Sequence, residues 1–170
     1  MIDKNTLIFD LESATGRLAE AIGDFPVNEF NKSASIGTWS AGDIAEHLYI
    51  VESFISKIMT GAVRASERDP LQKAPLLGTT FKDFEKKFTA GKEIYPTEVP
   101  KNRDEIAQKL VNNRTTLVNT IKVHDMTESC LDFIHPKFGE LTRAEWIYFI
   151  IYHGDRHLQQ LENVRKFIAL

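Results

Sequence analysis

The chain has 170 residues, 42% of them hydrophobic and 26% charged, which is the size and balance of one globular domain spanning residues 1–170. Its 21 Lys and Arg against 24 Asp and Glu leave a net charge of −3, excluding a broad cationic footprint for nucleic acid or anionic lipid. A single cysteine, Cys130, excludes an intramolecular disulfide framework and a cysteine-rich zinc cluster, and leaves five histidines as the soft-ligand inventory. The first residues carry no charged segment followed by an apolar run, and no stretch approaches the ~20 apolar residues that span a bilayer. The cytoplasm is therefore the expected compartment, without a membrane partner.

Over residues 4–24, Leu7, Leu11, Ala14, Leu18 and Ile22 recur at the 3-4 spacing of one apolar helix face, so a first long helix is expected there. A polar connection through Gly37 follows. Ser40, with Asp43 three residues on, imitates a capping box for a second helix from residue 41, whose stripe is Ile44, Leu48, Val51, Ile55 and Ile58 and whose stop is Gly61. Residues 61–101 hold Pro70, Pro75, Pro96 and Pro100 and read as a long crossover. Within it Phe81, Phe84 and Phe88, after candidate caps at Thr79 and Thr80, predict a short extra helix. Asn102 with Glu105 caps a third long helix to about residue 122, with Ile106, Leu110, Asn113, Leu117 and Ile121 on one face. Thr142 with Glu145 opens the fourth, whose stripe is Trp146, Phe149, Ile150, His153, His157, Leu161, Val164 and Ile168. Four amphipathic helices with no convincing strand pattern predict an all-α four-helix bundle.

His153 and His157 are four residues apart, so both imidazoles project from one helix face, and their register on the apolar stripe points them into the bundle. Burying two unpartnered imidazoles costs on the order of a few kcal/mol, which a shared metal would remove; two satisfied core histidines are the structural alternative. His47, three residues after Ile44 and four before Val51, also faces inward from the second helix. Three inward histidines from two helices make up the donor set of an open N₃ metal site, in which water or substrate takes the fourth position.

The segment Thr38-Trp39-Ser40-Ala41-Gly42-Asp43-Ile44-Ala45-Glu46-His47-Leu48 resembles one signature of the DinB-like superfamily. The run His135-Pro136-Lys137-Phe138-Gly139-Glu140-Leu141-Thr142-Arg143-Ala144-Glu145-Trp146, followed by His153, Arg156, His157, Leu158 and Gln160, is similar to its C-terminal signature. The resemblance implies an up-up-down-down bundle with a divalent metal, nickel or zinc first and iron or manganese as alternatives, on His47, His153 and His157. It also implies one of several activities. Some members are transferases or isomerases that use a low-molecular-weight thiol such as bacillithiol, mycothiol or glutathione, and others have no known activity.

The expected function is accordingly a metal-dependent thiol S-transferase acting on an electrophilic small molecule, with a metal-dependent hydrolase and a non-catalytic, stress-related metal-binding protein as alternatives. A homodimer is the expected assembly. No catalytic residue is assigned. Glu46 is a candidate general base, although it lies ~100° around the helix from His47 and reads equally as a salt-linked surface residue. Tyr152 is a candidate phenol near the metal or a core aromatic. Arg156 is a candidate site residue, a surface ion-pair member, or a fastener of the fourth long helix to the crossover. His135 reads as structural, His124 as solvated, Trp39 and Trp146 as packing anchors that could line the pocket mouth, and Cys130 lacks the neighbours of a nucleophile. Gly154 sits mid-helix at ~1 kcal/mol relative to Ala, for close approach of a neighbouring helix or for room beside a metal. A zincin H-E-x-x-H, a G-x-S-x-G elbow, a P-loop and the Glu-x-x-His pairs of di-iron bundles are all absent.

Overall fold

Asp3 opens the first helix by accepting the backbone N–H of Asn5, and α1 runs Lys4–Gly23 with Leu7, Leu11, Ala14, Leu18 and Ile22 buried, the five positions selected by the 3-4 spacing. The computed structural model describes residues 2–35, 37–86, 88 and 91–168. Ser40 and Asp43 form the reciprocal capping box expected of them, and α2 runs Ala41–Thr60. Asn102 accepts the N–H groups of Asp104 and Glu105 at the start of α4, Arg103–Val123. At the head of α5, Arg143–Ile168, the Glu145 N–H donates to Thr142 Oγ1 (3.1 Å) and the Thr142 N–H returns to Glu145 Oε2 (3.0 Å).

The extra helix of the crossover lies earlier than Phe81, Phe84 and Phe88 suggest. It is α3, Ala74–Lys82, with a proline in its first turn; Pro75 is tolerated there because the first N–H groups of a helix have no intrahelical partner. Thr79 and Thr80 are interior to it, Phe81 is buried near its end, and Phe84 and Phe88 lie beyond. Two residue pairs form an unpredicted ladder, β1 (Val63–Arg64) antiparallel to β2 (Ser129–Cys130), too short to carry a sequence period. It ties the start of the crossover to the α4–α5 connection. Asn113 is only half-buried, and its neighbour Arg114 fills the interior of α4 instead.

α1 and α2 each pack against both α4 and α5, so helices joined directly in the chain sit on the diagonals of the bundle. Contacts at the helix ends set the directions. Lys4 of α1 reaches the carbonyl of Lys122 at the end of α4, and Arg103 at the start of α4 reaches that of Gly23. Arg165 pairs with Asp24, which runs α5 alongside α1. Arg143, at the start of α5, donates to the Met59 carbonyl near the end of α2. The order is therefore up-down-down-up, which corrects the up-up-down-down expectation. Of the three connections between long helices only residues 61–102 join two that run the same way, α2 and α4, whereas an up-up-down-down chain has two such crossovers.

Two apolar clusters fill the bundle. One includes Leu7, Leu11, Ile55, Leu117 and Trp146, and the other Leu18, Ile22, Phe30, Leu48, Leu110 and Leu161. Between them Glu52 and Arg114, both fully buried, form a bidentate pair with Nε–Oε2 of 2.9 Å and Nη2–Oε1 of 2.6 Å. Gly154 of α5 faces that guanidinium, and a Cβ there would lie 2.9 Å from Arg114 Nη2. Close approach from α4 is thus the reason for a glycine in mid-helix.

Candidate metal centre

The inward register of His47 on α2 and of His153 and His157 on α5 brings three imidazoles from antiparallel helices to one level, all three buried. His47 Nε2 lies 3.4 Å from His153 Nε2, and His157 Nε2 lies 3.0 Å from the same atom. Two imidazole nitrogens bound to one tetrahedral ion at ~2.1 Å sit about 3.4 Å apart, so the spacing suits a shared cation. The outer nitrogens agree with this. His47 Nδ1 donates to the Ile94 carbonyl at 2.8 Å and His157 Nδ1 donates to Gln160 Oε1 at 2.7 Å, which turns the Nε2 lone pairs of both rings towards the centre.

His153 cannot satisfy both of those lone pairs. A proton on its Nε2 reaches only one acceptor, and a proton on its Nδ1 leaves three lone pairs facing one another; its Nδ1 has no hydrogen-bond partner in either case. A buried cation resolves the conflict, so these residues could hold a metal. Burial pushes all three imidazoles towards their neutral forms, His157 down to about 3 and His153 well below the usual range, with the neighbouring histidines adding to the effect on those two. Neutral imidazole is the form that ligates. Among the described residues no fourth His, Cys, Asp or Glu joins the cluster.

Trp39, on the loop before α2, has its ring 4.8 Å from that of His47 and stacks at 6.4 Å on His157, with Tyr95 edge-on to it at 5.5 Å. Phe81 and Phe149 cover His153 at 5.4 and 5.5 Å. The walls are therefore aromatic. Trp39 belongs to the site, whereas Trp146 is a fully buried anchor among Phe133, His135 and Phe149. Glu46 turns away from the histidines and accepts the Thr97 N–H (2.6 Å), the Thr97 hydroxyl, and an ion pair from Lys101 at 3.2 Å. Tyr152 stacks on Tyr148 and packs against Gly78 of α3. Arg156 is buried, donates to the carbonyls of Phe81, Asp83 and Lys86, and lies 4.6 Å from the Phe88 ring; it fastens α5 to the crossover. Asp155 makes the surface pair, with Arg17 at 2.8 Å.

His135 braces its own loop, its Nδ1 accepting the N–H groups of Lys137 and Phe138. His124 is half-exposed at the end of α4. Burial raises the Cys130 thiol to about 11, far from a nucleophile's range. Gln160 stood in the sequence only as a signature position, and its place three residues after a buried histidine is the signal for the role it has here; the Ile94 carbonyl, a main-chain group of a distant turn, leaves no local signal.

Fold and site together define a four-helix bundle whose centre presents three convergent imidazoles from two helices. The sequence profile of the DinB superfamily matches residues 10–161, and the chain belongs to that superfamily. The chain is 25% identical over 143 residues to YuaE of Bacillus subtilis, covering 81% of this chain and 84% of that one. It is 22% identical over 167 residues to a Bacillus cereus protein named "Putative metal-dependent hydrolase", covering 98% and 86%. Among solved structures, YfiT from Bacillus subtilis, described as a "probable metal-dependent hydrolase with an unusual four-helix bundle topology", matches with a TM-score of 0.61 and 12% identity over 99% of this chain and 91% of that one, a likeness of fold.

Proposed function

We propose that His47, His153 and His157 hold one divalent transition metal ion, nickel or zinc first, with a coordination position left for a small ligand, and that the chain is a metal-dependent enzyme acting on a small molecule. The observation that carries this reading is the convergence of three Nε2 atoms, two of them aimed by hydrogen bonds at Nδ1. A divalent ion on three neutral imidazoles supplies the charge that brings a bound water or thiol into its nucleophilic form near neutral pH. The protein's own residues do the rest. Trp39, Phe81 and Phe149 exclude bulk water, and the hydrogen bonds to Ile94 and Gln160 keep both imidazoles facing the centre.

The names of the relatives support hydrolysis. Transfer of a thiol sulfur to an electrophile is the second reading, and the engagement of Glu46 favours it: water attack calls for a nearby proton acceptor, whereas a thiol can enter as its thiolate, and the carboxylate next to His47 is occupied by Thr97 and Lys101. Protein purified without an affinity tag should contain about one equivalent of transition metal, and His153→Ala should lose it. A screen with model esters and amides on one side, and with thiols plus alkylating electrophiles on the other, separates the two activities. Metal content unchanged in His153→Ala overturns the site; a metal-loaded protein inert in both screens leaves a non-catalytic metal-binding protein.

A further inference from the structure

Residues 91–101 form a strap across α2 that includes a single 3₁₀ turn, Lys92–Ile94. It is fastened at three levels. The Ile94 carbonyl accepts His47 Nδ1–H at 2.8 Å. Three residues further on, Glu46 accepts the Thr97 N–H at 2.6 Å and the Thr97 hydroxyl at 3.0 and 3.1 Å. Lys101 then pairs with Asp43 at 2.8 Å and with Glu46 at 3.2 Å and caps the Thr97 carbonyl, while its backbone exchanges hydrogen bonds with Asn31 at 2.7 and 2.9 Å.

The two fastenings on Glu46 and His47 come from adjacent residues of one helix. A carbonyl acceptor on an outer imidazole nitrogen sets the tautomer and the ring orientation, and losing such a partner typically lowers metal affinity 10–100-fold. A carbonyl inside a helix is held by that helix. Ile94 lies on a strap, so its carbonyl is placed only as well as the strap is docked; the Ile94 side chain rests on the apolar core and Tyr95 meets Trp39 edge-on, and the nearest hydrogen-bonded fastening along the chain is the Thr97–Glu46 pair.

We propose that Glu46 is a positioning residue for the three-histidine centre: through Thr97 it holds the Ile94 carbonyl against His47 Nδ1, and so sets the tautomer of that imidazole and its affinity for a divalent cation. This rests on the metal-site reading above. By linkage, cation binding must in turn strengthen docking of the strap by the same factor.

The test uses the full chain with zinc as the probe, titrated against a competing chelator, and compares Glu46→Gln with Glu46→Asp. Gln retains the reach to the Thr97 N–H and loses the charge, whereas Asp retains the charge and is one methylene short. Zinc affinity should fall about tenfold or more in Glu46→Asp and stay close to wild type in Glu46→Gln. The reverse order means that charge, not reach, governs the site, and overturns the proposal; so does equal affinity in all three proteins. Imidazole ¹⁵N shifts of the metal-free protein supply a second readout. His47 should be the Nδ1–H tautomer in wild type and Glu46→Gln and a tautomer mixture in Glu46→Asp, and an unchanged tautomer in Glu46→Asp overturns the proposal. A wild type that binds no zinc defeats the metal-site reading and with it the affinity half of the proposal, while the tautomer measurement still decides whether Glu46 positions His47.

Discussion

Arg114→Met removes the guanidinium from a layer where Glu52 is fully buried and both its oxygens are taken by that one side chain at 2.9 and 2.6 Å. A carboxylate left there has no replacement cation, and breaking a buried pair from one side costs about 3–5 kcal/mol. At about 2–4 °C per kcal/mol for a chain of this length, the melting temperature should fall by roughly 6–20 °C. Glu52→Leu should cost a similar amount by orphaning the guanidinium. The double variant Glu52→Leu/Arg114→Met places two apolar side chains between two apolar clusters and should recover to within about 1 kcal/mol of wild type or exceed it, because the desolvation of both charges disappears together with their attraction. Urea unfolding followed by circular dichroism closes the cycle. A single variant costing less than about 1 kcal/mol, or a double variant equal to the sum of the two singles, would refute the reading of this pair as dry and mutually dependent.

Gly154→Ala should destabilise the wild type, since the new methyl meets Arg114 Nη2 at 2.9 Å, yet in an Arg114→Ala background it should be neutral or stabilising by up to about 1 kcal/mol from helix propensity; paired thermal melts measure both. Ser40→Ala removes the acceptor for the Asp43 N–H and should cost about 0.5–2 kcal/mol in urea unfolding. Cys130, buried and with its thiol raised to about 11, should resist thiol reagents at pH 8 in the folded protein and react at once in denaturant; rapid native labelling would contradict its placement. Stability of the chelator-treated protein should decline as pH falls from 6.5 towards 3. In that window the unfolded chain protonates a histidine that burial holds at about 3 in His157, so the unfolded state binds more protons, at up to about 1.4 kcal/mol per pH unit for each such group. Unfolding measured between pH 7 and 4.5 in a chelator tests the sign.

Much of the molecule is written locally in its sequence. The five buried positions of α1, the Ser40–Asp43 and Thr142–Glu145 boxes and the inward register of His47, His153 and His157 all follow from helical periodicity and from the unmet N–H groups at helix starts, interactions spanning three or four residues. Even Gly154 announced a close neighbour, though not which one.

What the tertiary structure alone decided depends on residues far apart in the chain. The helix directions follow from end contacts such as Lys4 with Lys122 and Arg103 with Gly23, and amphipathic periodicity is the same whichever way a helix points. α3 begins at Ala74 because Pro75 suits a first turn and Leu77, Thr80 and Phe81 are buried as α3 packs on α5, Phe81 against Phe149 and His153, which a phenylalanine pattern by itself misplaces. Arg114 and Glu52 are each charged residues on an otherwise apolar level, and only their meeting makes burial tolerable. Glu46 likewise reads as solvent-facing until the strap arrives to occupy its oxygens, and the carbonyl that orients His47 belongs to a residue 47 positions away. Side-chain identity could nominate the three histidines; a long-range contact with the Ile94 carbonyl turns one of them, His47, towards the other two.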